Sequence, residues 1–242
     1  MLSQLLKHKT NLWIPVLCLF LTLSPVAADP FEAGLRAMER KHYATAMRAW
    51  RGLAKEGVPQ ALNNIGHLYE QGYGVSQDYS EAMNWYKQAA SKGLAEAEHN
   101  VGMLYNQGFG VAKNDQEAVK WFRRAAKQKL ADSQYMLGLA YYQGSGVKLS
   151  YSKAKPLFLK AAKNDYSPAQ FMFGYMLQAG EGAKKPDSFK ALIWASIALK
   201  NGQKEAQDLV NITKLLLEDA EVAEAEKAIN ICVRSNFSNC PA

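Results

Sequence analysis

Ala61-Leu62-Asn63-Asn64-Ile65-Gly66-His67-Leu68-Tyr69 is followed at once by Glu70-Gln71-Gly72-Tyr73-Gly74-Val75, and this stretch decides the fold. Leu62, Ile65, Gly66, Leu68 and Tyr69 fall on one face at helical spacing. Gly72 and Gly74 then break the helix, because closely spaced glycines end helices and permit left-handed backbone angles. Asp78 or Ser80 is placed to cap a second helix, in which Ala82, Trp85, Tyr86, Ala89 and Ala90 form a stripe for burial. Lys92-Gly93 ends that helix, and the cycle restarts at Leu94.

The unit returns every 36 residues: Gly66, Gly102, Gly138 and Gly174 are equally spaced, as are Gly72, Gly108, Gly144 and Gly180. Ala82, Ala118 and Ala154 keep register, and Trp85-Tyr86, Trp121-Phe122 and Leu157-Phe158 share one slot. A fourth copy gains one residue after Gly182, which brings Ala191 and Trp194 to the places of Ala82 and Trp85. A fixed period of this size is the mark of a solenoid, in which small residues facing aromatic rings let helices approach closely.

The pattern A-x-x-x-L-G-x-x-Y-x-x-G-x-G-V, then D-x-x-x-A-x-x-W-Y-x-x-A-A-x-x-G, resembles the SEL-one-like repeat, a relative of the tetratricopeptide repeat. Ile65 replaces the usual Leu, and Lys129 stands where the family has Gly. The resemblance implies an all-α, right-handed α-solenoid of helix-turn-helix repeats with a C-terminal capping helix. Four repeats are expected over 58–93, 94–129, 130–165 and 166–202. Residues 29–57 read as an N-terminal tetratricopeptide-like capping repeat. There Ala46, Trp50, Leu53, Ala54 and Gly57 mimic a second helix, with Trp50 in the slot of Tyr86, after a shortened link at Lys41-His42-Tyr43. Residues 203–242 read as C-terminal capping helices and tail, whose outer face is expected to be polar so that solenoids do not join end to end.

Residues 1–28 read as a signal peptide. Lys7, His8 and Lys9 precede an apolar run from Trp13 to Leu23, too short to span a bilayer, and Val26 and Ala28 form a small-residue cleavage site. Cleavage after Ala28 sends the chain to the periplasm or outside the cell, and no other stretch suits a membrane span. Losing Lys7 and Lys9 lowers the formal charge from +7 to +5, scattered and without the basic cluster that nucleic acid requires. Cys18 leaves as well, so Cys232 and Cys240 remain as an expected disulfide in an oxidising compartment, with two inert thiols as the alternative.

Positions alike in every unit are explained by packing, so a site should lie where units differ and face outward. By the resemblance the first helices line the concave groove. Its slots hold Asn63, His67 and Glu70, then His99, Met103 and Asn106, then Tyr135, Leu139 and Tyr142, then Phe171, Tyr175 and Gln178. The groove thus runs from polar to aromatic. Tyr135, Tyr142, Phe171 and Tyr175 are expected contacts for a partner protein, the alternative being that curvature buries these rings. Tyr73 and Phe109 on the glycine loops are further candidate contacts, unless they fold back on the helices.

No catalytic constellation, metal site or cofactor is expected. His67 and His99 occupy non-equivalent slots, no HExxH pattern accompanies them, and the recurring Gly-x-Gly follows a helix and lacks a P-loop lysine. The expected role is a non-enzymatic scaffold of the bacterial envelope, which leaves self-association through the groove open. The alternatives are a glycan or peptidoglycan binder, with rings stacking on sugars, or a β-lactam-hydrolysing enzyme. That activity belongs to relatives with a cysteine pair in each repeat, which this chain lacks.

Overall fold

The computed structural model describes residues 29–242, so the expected leader lies outside the described residues. Those residues form twelve α-helices and no strand. They run as antiparallel pairs: α1 (Pro30–Glu39) with α2 (Tyr43–Lys55), α3 (Pro59–Gln71) with α4 (Tyr79–Ser91), and α5 (Ala95–Gln107) with α6 (Asp115–Lys127). α7 (Ala131–Gln143) pairs with α8 (Tyr151–Lys163), and α9 (Ser167–Ala179) with α10 (Ser188–Lys200). α11 (Ala206–Leu215) and α12 (Asp219–Arg234) close the chain. Each second helix packs on the first helix of the next unit, so the core is a continuous seam.

The repeating contact is a ring set on a glycine. Tyr86, Phe122 and Phe158 are fully buried, and a Cβ added to Gly66, Gly102 or Gly138 would come within 2.8, 2.7 and 2.7 Å of their ring carbons. Trp50 sits on Gly34 in the same way, which fits the first pair as a shortened unit. Each buried ring is worth about 1.5–3 kcal/mol in area removed from water. The fourth copy solves the contact differently. Ala195 occupies the ring slot, the α10 backbone itself stands 3.2 Å from a Cβ added to Gly174, and Trp194 is fully buried where its counterpart Trp85 is half-buried.

The glycine loops are fixed by the same logic. Gly72 takes φ 70° and ends α3, with its N–H donating to the Leu68 carbonyl. Asp78, not Ser80, caps α4 by accepting from the Glu81 N–H, while the Ser80 hydroxyl donates to the Gly110 carbonyl of the next loop. Gly74 passes so close to the start of α2 that a Cβ would stand 2.7 Å from that of Tyr43. Every loop therefore leans on the preceding unit.

The C-terminal end departs from the repeat. α11 and α12 both pack chiefly on α10. A Glu218–Glu221 capping box starts α12, and its buried Ala225, Ile229 and Cys232 face inward. Cys232 is paired with Cys240, their Cα atoms 4.8 Å apart, and Trp194 Nε1 donates to the Pro241 carbonyl at 2.8 Å. The outer face is less polar than expected. Ile212, Leu215, Leu216, Ile231 and Val233 are all exposed, because two helices sharing one support leave their far sides uncovered.

Candidate partner-binding face

The first helices α3, α5, α7 and α9 bring equivalent slots side by side. Asn100 on α5 donates to Asn63 Oδ1 on α3 at 3.0 Å, and His99 Nδ1 lies 2.8 Å from Ser133 Oγ on α7. In the polar half, the candidate side chains are largely engaged within the protein. Burial opposes ionisation of Glu70, yet hydrogen bonds from His67 and from the Tyr86 hydroxyl, 2.6 Å away, outweigh it and hold the carboxyl below its ordinary value. Burial likewise pushes the His99 imidazole below its ordinary value against the carboxylates of Asp132 and Glu70, leaving it neutral at pH 7. Asn106 donates to Asp115 Oδ1 at 3.2 Å. His67 and His99 are not brought together, and among the described residues no group of three His, Cys, Asp or Glu could hold a metal ion.

The aromatic half is divided. Tyr135 turns inward, its ring 5.7 Å from Phe158 and 5.2 Å from Tyr166, and burial raises its pKa. Tyr142 packs on Tyr151 at 5.2 Å, and its hydroxyl donates to Glu181 Oε1 at 3.3 Å. Burial first, then the Glu181 charge, raises the pKa of that phenol. Tyr175 remains open, 43% exposed, while Phe171 is half-buried against the core. Together with Tyr142, Leu139, Gln143 and Met172 they line a pocket of about 290 Å³ between α7 and α9. The structure thus gathers Tyr142, Phe171 and Tyr175 into one site and leaves Tyr135 out of it.

The loop aromatics sit against the units before them. Tyr73 stacks on Tyr43 at 4.6 Å and 7° between planes, and Phe109 lies 4.8 Å from Tyr79, with 42% of its surface still exposed. Sequence reasoning missed Met172 and Glu181. Met172 shares its slot with Asn64, Asn100 and Met136, so variation at that slot was the available signal. It also missed two larger cavities at the C-terminal end. One of about 400 Å³ lies between α10, α11 and α12, and one of about 540 Å³ is lined by Lys155, Phe189, Lys190 and Leu217 among others.

The Sel1 repeat family model matches residues 59–94, 95–130, 131–166 and 167–203. The crystal structure of a Sel1 repeat protein from Oxalobacter formigenes is 32% identical with a TM-score of 0.69, over 74% of each chain. A protective antigen of uropathogenic Escherichia coli strains, displaying an SLR fold, is 34% identical with a TM-score of 0.70. The similarity covers 75% of this chain but only 39% of that one. A sel1 repeat protein from Klebsiella pneumoniae, 21% identical with a TM-score of 0.51 over 76% of this chain and 91% of that one, shares the fold. No curated protein matches.

Proposed function

The chain belongs to the Sel1 repeat family, and we propose that it is an exported scaffold holding a segment of another protein along its first helices. Sel1 repeats generally mediate protein–protein interaction and are typically non-catalytic. The observation that carries the reading is the pocket at Tyr142, Phe171 and Tyr175. Tyr135 and Tyr142 are engaged internally, whereas Tyr175 meets solvent beside the half-buried Phe171, Leu139 and Met172. Open rings beside flexible apolar side chains suit an anchor residue of a partner. Leu139, Phe171 and Met172 make much of the lining apolar, which suits an apolar or long side chain better than a hydroxyl-covered sugar, so the peptide reading is favoured over the glycan one.

Export is supported by Lys7-His8-Lys9, the Trp13–Leu23 run and the Val26–Ala28 site, and an oxidising compartment suits a bonded Cys232–Cys240 pair. Among the described residues no helix is long and apolar enough to cross a membrane. N-terminal sequencing of the protein from an envelope fraction should begin at Asp29. The binding claim is tested by affinity capture from the native compartment with Phe171→Ala and Tyr175→Ala. Both should lose the partner, Tyr175→Ala at an unchanged melting temperature and Phe171→Ala with some loss of stability, because Phe171 packs on the core. Undiminished capture by the double variant would overturn the groove as the interface.

A further inference from the structure

The four first helices of the repeat array, α3, α5, α7 and α9, contain no lysine and no arginine. Composition does not explain this, since the whole chain has 29 Lys+Arg against 22 Asp+Glu. The cations of the four units lie on second helices and in turns: α6 alone holds Lys120, Arg123, Arg124 and Lys127. The first helices carry Glu70, Glu96 and Asp132 instead, besides Glu98, which is buried and bonded to Arg124 and Gln128. Glu70 on α3 and Asp132 on α7 both bear electrostatically on His99 of the intervening α5, so their charges act on one shared face.

At the end of that face stands Glu181. One of its carboxylate oxygens accepts from Tyr142, and the other is buried without a donor. Among the described residues no lysine or arginine pairs with it. The Glu181 carboxylate sits on the hydroxyl of Tyr142, whose ring lines the pocket with Phe171 and Tyr175. Aromatic rings with a carboxylate at their edge are the combination that receives a guanidinium or ammonium group, by ring attraction and by a charge-assisted hydrogen bond. An anionic segment would meet no cation on these four helices.

We infer that the segment held on the first-helix face is a basic one, with an arginine or lysine side chain seated in the Tyr142–Phe171–Tyr175 pocket beside Glu181. This rests on the groove reading above and adds the chemistry of the partner. Complementary charge on this scale sets partner choice and on-rate and weakens with salt.

The test uses three fluorescent peptides of about 12 residues with equal leucine and serine content, whose remaining positions are all arginine, all glutamine or all glutamate. Anisotropy titration should rank them arginine, glutamine, glutamate, with about tenfold between the first two, equivalent to about 1.4 kcal/mol. Glu181→Gln should cut the arginine preference several-fold without moving the melting temperature, and Tyr175→Ala should weaken every peptide. Equal binding of all three, a preference for glutamate, or an arginine preference untouched by both variants overturns the inference. If capture through Phe171 and Tyr175 succeeds while no peptide binds, the basic segment falls and the groove stands. If both fail, the groove falls too.

Discussion

A Cβ atom added to Gly102 would stand 2.7 Å from Cε1 of Phe122, a ring that keeps only 2% of its surface exposed. The space over the glycine is filled by a ring that cannot retreat, since Phe122 is itself wedged between α5 and the next unit.

Gly102→Ala should therefore destabilise, by about 1–3 kcal/mol for overpacking, less the modest gain alanine brings to a helix. Gly52, on the exposed side of α2 with nothing within 4 Å of an added Cβ, is the matched control. Gly52→Ala should stabilise by about 0.5–1 kcal/mol. Urea unfolding of both variants checks the pair; a neutral Gly102→Ala would show that the ring gives way.

The second residue after each second helix takes a left-handed conformation: Gly57, Gly93 and Gly202 do so, and so do Lys129 at φ 69° and Asp165 at φ 59°. Lys129→Gly should gain about 0.5–1 kcal/mol by relieving backbone strain. Gly93→Lys should lose a similar amount, because open space around Gly93 removes any steric contribution. Equilibrium melts of the two variants should shift in opposite directions.

Glu98 is 3% exposed and accepts from Arg124 and Gln128, and the Arg124 guanidinium also lies 4.4 Å over the Trp121 ring. Arg124→Ala should cost about 2 kcal/mol, reduced from the buried-pair figure because Arg124 itself is half-exposed. Leu62 fills the equivalent slot one unit earlier, so Glu98→Leu in the Arg124→Ala background should recover most of the loss. Thermal unfolding of the single and double variants measures the coupling.

Burial lowers the folded-state pKa of His99, with the Asp132 and Glu70 carboxylates opposing, so the unfolded chain takes up a proton first as pH falls. Its contribution to stability is complete above the unfolded value of about 6.5 and declines as pH drops through the folded one. Between pH 7.5 and 5.5 the wild type should lose more stability than His99→Asn, as read from urea midpoints. Parallel losses would mean that His99 does not titrate differently on folding.

A bonded Cys232–Cys240 pair should show as a mass about 2 Da below the reduced chain and should resist alkylation until reduced. Closing so short a loop is worth about 2–3 kcal/mol in chain entropy, so reduction should lower stability by that order. Free thiols in protein from the native compartment would contradict the expected export.

The fold was legible because two spacing rules recur: a ring against a glycine in every pair from α1–α2 to α7–α8, and two glycines after the first helix of each of the four repeats. The site was legible in part. Tyr142, Phe171 and Tyr175 meet, but Tyr135 turns to Tyr166, an aromatic residue where other units place Val58, Leu94 or Leu130. That single exchange recruits Tyr135 into packing. Tyr73 and Phe109 find their ring partners in the preceding unit, which reading one unit at a time does not reveal. The C-terminal cavities lie beyond the period, where no second copy exists for comparison.

The partner is held where Tyr175 opens to solvent beside Phe171. A photo-crosslinking residue placed in turn at Tyr175, Phe109 and Leu215, in the native compartment, tests it most directly. The account predicts a single protein captured from Tyr175 and not from the loop at Phe109 or the end face at Leu215. Capture from Phe109 or Leu215 with none from Tyr175 would contradict it.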